Sequence, residues 1–242
     1  MGDKTGQQRQ ERSQAAQVRA SHEFTYAIKH RQGQWLRAFV REAFEEPPLH
    51  HDYGCGSGDV MRMLTDTVSE SHGYDASIAK LAQARRHNTT GTLQLIDEDL
   101  EAPKPRTPSL VTMFRFLLTA TDEAAERALA FAADILPTPE SGLLVCENHG
   151  SSRSLRHVWA RARKVGRSPA FPELSHARIA ALLDRHGFEV VTLQGFSLAT
   201  RGFYRGLPTA LRLPLLDDVV SRSRVCSGFA SNVVYVARRR FA

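Results

Sequence analysis

The chain has 242 residues, 42% hydrophobic and 24% charged, with a formal net charge of +6 and a pI near 9.5. Those values suit one globular α/β domain with a core large enough to dispense with disulfides or metals, and they exclude a disulfide-stapled mini-protein or a low-complexity polymer. No apolar run approaches the roughly 20 residues of a membrane span, and the polar opening "MGDKTGQQRQERSQAAQ" lacks the apolar stretch of a secretory leader.

Residues 1–20 read as a disordered tail. Next, "FTYAIKHRQGQWLRAFVREAF" places Phe24, Ile28, Trp35, Leu36, Phe39, Val40 and Phe44 at mostly helical spacing, with Gly33 as an expected break and Pro47 and Pro48 as the stop. "LHHDYG" is a short strand running into Gly54-Cys55-Gly56-Ser57-Gly58, and "DVMRMLTDTVS" is the helix after it. "SHGYDAS", "TLQLIDED", "SLVTMFRFLL" and "SGLLVCEN" are further strands, alternating with the helices "IAKLAQARRH" and "DEAAERALAFAADIL". "LRHVWARARKV" and "HARIAALLDRHG" are helices, the second closed by Gly187, and "FEVVTLQGF" and "SNVVYVARRR" are the last strands. Such alternation predicts a Rossmann-like, doubly wound, mostly parallel sheet with helices on both faces.

Three glycines in five positions spend backbone freedom where a chain must turn tightly or let a ligand approach. In a doubly wound sheet the first strand ends at the crevice where ligands bind. Asp75 follows the second strand, about 20 residues beyond the first glycine, where a carboxylate accepts hydrogen bonds from ribose hydroxyls. The spacing G-x-G-x-G, with Asp52 just upstream, departs from the G-x-G-x-x-G of dinucleotide sites; an acid aimed at the crevice repels a pyrophosphate and suits a cationic amino-acid moiety. S-adenosylmethionine fits that description better than a dinucleotide.

On these motifs the sequence resembles the class I S-adenosylmethionine-dependent methyltransferases, in particular the group related to quinone-biosynthesis methyltransferases, over roughly residues 46–200. "DYGCGSG" resembles the family's first motif and "GYDAS" its second. The resemblance implies a seven-stranded sheet with an antiparallel last strand. It implies donor contacts from Asp52, Gly54, Cys55, Gly56, Ser57 and Gly58, and ribose contacts from Asp75 beside Ala76. "DEDLEAP" resembles the third motif, with Asp99 at the adenine amino group and the Leu100 N–H at the ring. "LVTMFRFLLTATDE" resembles the fourth strand and its loop, with Phe114 and Arg115 near the cofactor. Tyr26 and Arg31 are expected in an N-terminal lid spanning residues 21–45, and residues 46–150 form the cofactor-binding half. One departure is His50-His51, where the family's first strand is usually aliphatic; a buried imidazole there needs a hydrogen-bond partner.

Methyl transfer needs a bound donor, an acceptor in near-attack geometry and, for a hydroxyl, a place for its proton. His149, just past the fifth strand, is the expected base, with Glu147 and Asn148 orienting it or the acceptor; His157 and His176 rank lower. No metal is required. Residues 151–174 and 200–225 are expected to cap the acceptor. The first carries Leu155, Val158, Trp159 and Ala162 among arginines, and the second is Leu-rich with two prolines. The expected acceptor is therefore a small, hydrophobic or aromatic molecule, with O-methylation preferred because of His149. A basic amphipathic helix also suits a membrane surface. The alternatives are an RNA methyltransferase, motivated by charge, and a non-catalytic relative of the fold. Against the first stand the missing RNA-binding module, the missing base-stacking aromatics and the missing Asn-Pro-Pro-Tyr type motif; against the second stand the intact glycines and Asp75. Three widely spaced cysteines, Cys55, Cys146 and Cys226, form no metal-binding pattern and suit a reducing cytoplasm. Neither the acceptor's identity nor the oligomeric state is written in these motifs.

Overall fold

The computed structural model describes residues 25–87, 91–155, 158, 174–198 and 223–241. The expected N-terminal tail and most of both expected cap segments, with His157, Trp159 and Ala162, lie outside the described residues.

Helix α1 covers residues 25–43. The chain then alternates through β1 (Leu49–Tyr53), α2 (Asp59–Leu64), β2 (Glu70–Asp75), α3 (Ile78–His87), β3 (Thr92–Leu95), β4 (Ser109–Met113), α4 (Asp122–Ile135) and β5 (Gly142–Asn148). It finishes with α5 (His176–Arg185), β6 (Phe188–Phe196), α6 (Arg224–Ser227) and β7 (Asn232–Arg239). Seven strands form one sheet in the order β3-β2-β1-β4-β5-β7-β6. The first five strands pair in parallel, whereas β7 runs antiparallel to both β5 and β6.

Strand periodicity explains the layers. In β4, Leu110 joins one apolar cluster and Val111 and Met113 the other; in β5, Val145 alternates with Leu144 and Cys146 in the same way. One cluster packs the sheet on α4 and α5 through Ala128, Leu129, Ala132, Ile179 and Leu183, and the other packs it on α1 and α2 through Leu36, Val40, Val60 and Leu64. β1, β4 and β5 are buried at every position, as expected for parallel strands covered on both faces. Among the described residues no helix is long and apolar enough to cross a membrane.

Three local expectations change. Gly33 does not break α1: the helix runs through it and lies so close to α2 that a Cβ there would meet the Met63 sulfur at 2.9 Å. The helix after the glycine turn has only six residues and ends before the run of Thr65 and Thr67, where Thr65 turns its hydroxyl back onto the Met61 carbonyl at 3.2 Å. β4 stops at Met113, so that Phe114 and Arg115 leave the sheet, Arg115 at φ 56°.

Thr121 caps α4 by accepting the Ala124 N–H at 3.2 Å. Thr121→Ala is expected to cost about 1 kcal/mol of stability in urea unfolding, the usual value of such a cap.

Candidate donor and acceptor site

Because β1, β2, β4 and β5 are parallel, their carboxyl ends share one edge of the sheet, and the strand order reverses between β1 and β4. Two adjoining cavities open there. One, of about 200 Å³, is lined by Lys29 and Gln32 of α1, by Asp52 and the turn residues Gly54–Ser57, by Asp59, Val60 and Met63, and by Phe114, Arg115 and Glu147. The other, of about 430 Å³, is lined by Tyr53, Gly54, Asp75, Ala76, Ile96, Arg115 and Phe116 among others. They share Gly54, Lys80 and Arg115, so the glycine turn forms the common floor.

The turn needs its glycines. Gly54 and Gly56 sit at φ 76° and 57°, where side chains are strained, and a Cβ on Gly54 would lie 2.7 Å from the Phe116 ring. Above Gly56 there is open space, nothing lying within 4 Å of where a Cβ would be. Asp75 clasps the turn: its Oδ2 accepts the Gly56 N–H and its Oδ1 the Ser77 N–H, each at 2.8 Å. A carboxylate has about four lone-pair sites, so each oxygen keeps one for a ligand hydroxyl.

The two histidines of β1 are satisfied core residues. His50 bonds Ser71 Oγ through Nδ1 at 3.0 Å and Thr112 Oγ1 through Nε2 at 2.8 Å; Thr112 in turn donates to Asp52 Oδ1 at 2.7 Å. The four groups form a one-way relay, each hydroxyl and the imidazole N–H donating toward Asp52. His51 bonds the Tyr74 hydroxyl at 3.1 Å and stacks on His72. Burial holds both imidazoles neutral, pushing His50 down to about 3 and His51 to about 4, with neighbouring histidines adding to the effect. Burial also raises Asp52 to about 7, against the Thr112 hydrogen bond, with Asp75 and Asp59 pushing it further up.

At the end of β5, Glu147 is 1% exposed. Its Oε1 accepts from Gln32 Nε2 at 2.6 Å and from Asn232 Nδ2 at 3.1 Å, whereas the buried Oε2 has no partner. His149, two residues on, also has a buried Nδ1 without a partner. Burial lowers the His149 pKa, with Glu147 pulling it up and Arg115 pushing it down.

The structure brings most of the expected residues together and parts others from them. Asp52, Gly54, Cys55, Gly56, Ser57, Asp75, Ala76, Phe114, Arg115 and Glu147 line the two cavities. Gly58, at φ 76°, closes the turn into α2. Asp99 is exposed and gives its N–H to Asp97 Oδ1 at 3.2 Å; Ile96 is the loop residue that reaches the side of Asp75, where its N–H bonds the Asp75 carbonyl at 3.1 Å. Leu100 lines a neighbouring hollow with Asp97 and Glu98 rather than the cleft at Asp75. Tyr26 points outward, 70% exposed and stacked on His30, and α1 presents Lys29 and Gln32 to the cleft in place of Tyr26 and Arg31. Asn148 orients the backbone: its amide donates to the Leu174 carbonyl at 2.8 Å and accepts the Gly150 N–H at 2.9 Å. His176 is pinned between the Tyr235 hydroxyl and the Gly228 carbonyl. Lys29, Gln32, Thr112 and Asn232 were not legible as site residues, and only the placing of α1 and the strand register reveals them.

A methyltransferase domain model matches residues 27–193. A search of curated proteins finds no match to the chain. Among solved structures, the chain is similar to one in the complex between the Haloferax volcanii Trm112 methyltransferase activator and a methyltransferase, at 19% identity over 93% of this chain and 96% of that one, TM-score 0.59. It is similar to magnesium protoporphyrin IX methyltransferase from Synechocystis PCC 6803 with bound S-adenosylhomocysteine, at 16% identity over 88% and 84%, TM-score 0.59. It is also similar to a Thermotoga maritima S-adenosylmethionine-dependent methyltransferase described as a possible histamine N-methyltransferase, at 16% identity over 91% and 95%, TM-score 0.59. With the domain model covering more than half of its length, the chain belongs to the methyltransferase domain family and has the class I, S-adenosylmethionine-dependent fold.

Proposed function

We propose that this protein transfers a methyl group from S-adenosylmethionine to a heteroatom of a small, largely apolar acceptor, bound at the Glu147–His149 end of the cleft. The observation that carries the reading is the clasp of Asp75 on the Gly56 N–H, which leaves the glycine turn open above Gly56 and the carboxylate free to take two hydroxyls.

The residues present fit the donor. Asp75 suits its ribose, with Ile96, Ala76 and Phe116 forming an apolar slot beside it. The smaller cavity sets Asp52 and Asp59 among Lys29, Lys80 and Arg115, a mixed-charge lining that suits an amino-acid zwitterion next to a sulfonium. When bound, the donor supplies an electrophilic methyl whose bond electrons stay with sulfur. The chain's own residues do the rest. Val60, Met63 and Phe114 exclude water from the reacting end, Asp52 offers a carboxylate held by the Thr112 hydroxyl, and His149 takes the proton that leaves the acceptor. His149 suits that task because burial keeps its ring neutral and its Nδ1 has no other partner. A hydroxyl and an amine both meet this requirement, and the apolar lining accounts for the preference for a hydrophobic or aromatic body.

His149→Ala is expected to lower turnover about 100-fold, the lower range for loss of a general base, with donor affinity unchanged. The assay follows tritiated methyl transfer from S-adenosylmethionine to a panel of phenols and arylalkylamines. Full turnover by the variant removes His149 from the chemistry. Association with RNA that weakens steeply with salt would instead favour a nucleic-acid acceptor.

A further inference from the structure

We propose that Glu147 makes the cleft selective for an amine: the acceptor carries a protonated nitrogen that docks on the free Oε2 of this carboxylate. The inference rests on the methyltransferase reading above and names the substrate class of the same site.

Glu147 is built to face a ligand rather than a protein partner. Two amides, Gln32 on α1 and Asn232 on β7, grip the same oxygen, so three separate elements fix the carboxylate of this cavity-lining residue while its second oxygen stays buried without a partner. Among the described residues no lysine, arginine or histidine comes within ion-pair distance of it. Of the cations that line the cavity, Lys29 is engaged by Asp59 at 3.1 Å, and Lys80 and Arg115 are exposed. A buried carboxylate left without a cation is costly, and a cation arriving with the ligand removes that cost.

The geometry favours nitrogen over oxygen by counting donors. A hydroxyl has one hydrogen and satisfies either Glu147 Oε2 or His149 Nδ1. A protonated primary amine has three and satisfies both. Glu147 is the penultimate residue of β5 and His149 the first residue beyond it, near enough for the Glu147 carboxylate to draw the His149 pKa up. With the ring protonated on Nε2, Nδ1 accepts one ammonium proton, the N–H electron pair returns to nitrogen as its lone pair, and the proton passes from the imidazolium to water. Glu147 keeps its hydrogen bond to the remaining N–H throughout. Asp52, the other buried carboxylate of the cavity, has one oxygen already held by Thr112.

The test uses matched probes, 2-phenylethylamine and 2-phenylethanol, titrated calorimetrically into the full chain saturated with S-adenosylhomocysteine. The amine is expected to bind at least about tenfold more tightly, the value of one charge-assisted hydrogen bond. Glu147→Gln keeps an oxygen for Gln32 and Asn232, so it should erase the amine's advantage while leaving S-adenosylhomocysteine affinity and the melting temperature unchanged. Equal binding of the two probes, no binding of the amine, or an amine preference that survives in Glu147→Gln overturns the proposal. Failure of S-adenosylhomocysteine itself to bind a folded chain overturns the methyltransferase reading and this inference with it.

Discussion

Asp75→Ala is expected to weaken S-adenosylmethionine binding by at least about 100-fold, the loss of two hydrogen bonds to a charged acceptor at about 1.5–3 kcal/mol each. The effect has two sources, both visible in the clasp. The ribose hydroxyls lose their acceptor, and the Gly56 and Ser77 N–H groups lose theirs, which frees the glycine turn from the end of β2. Asp75→Asn separates the two: it keeps one oxygen, but its amide NH₂ must face a backbone N–H or a ribose hydroxyl as a second donor. It should therefore bind the donor worse than the wild type and better than alanine. Thermal melts accompany the titrations, since a variant that stays folded and still binds normally would place the ribose elsewhere.

Acidification is expected to weaken donor binding about tenfold per pH unit below 7, because one carboxylate proton then opposes each binding event. The group responsible is Asp52, which burial raises to about 7. Its ionised form attracts the donor's cationic groups, and its protonated form does not. The groups that face it are Thr112, which holds Oδ1, and the more distant carboxylates of Asp59 and Asp75. His50→Leu removes the N–H behind Thr112 and should move the midpoint of the binding profile to higher pH.

Stability of the unliganded chain should follow a different course. Asp52 has a folded pKa above its unfolded value of 3.8, so its contribution is complete below about 4 and is lost as pH rises through 7. His50 and His51 have folded values of about 3 and about 4 against 6.5 unfolded, so theirs is complete above 6.5 and is lost as pH falls. Between 6.5 and about 4 two histidines oppose one aspartate. The net expectation is a loss of about 1.4 kcal/mol per pH unit on acidification, read from urea midpoints. A stability that rises steadily from pH 6.5 to 4.5 would contradict the burial of two neutral histidines in β1.

The strand ends of this protein were legible because two simple rules place them. Period-two alternation fixes which residues of a strand face which layer, and parallel pairing sends every strand's carboxyl end to one edge. Asp52, Gly54, Asp75 and Glu147 stand where those rules put them, whereas Phe114 came from the family resemblance, because the apolar run "SLVTMFRFLL" predicts a strand continuing past it. Where a helix rolls on its axis decides the rest. The pattern of α1 shows an apolar face, but only its docking on Phe196 and Met63 turns Lys29 and Gln32 inward and Tyr26 outward. The surroundings of Asp99 were not legible for a loop reason, since the side chain of Asp97 takes the Asp99 N–H and leaves Asp99 exposed. The relay behind Asp52 needed the β1–β4 register, which sets Asp52 beside Thr112 and cannot be read from either strand separately. His50-His51 departs from the family's aliphatic first strand, and the partners that a buried imidazole needs are there: His50 is hydrogen-bonded at both ring nitrogens to neighbours on β2 and β4.

Calorimetric titration of the full chain with S-adenosylmethionine at pH 8, where Asp52 is ionised, tests the central claim most directly. Saturable binding at one site per chain, lost in Asp75→Ala, is the predicted result. A folded wild-type chain that gives no binding heat, or binds equally well without Asp75, contradicts it.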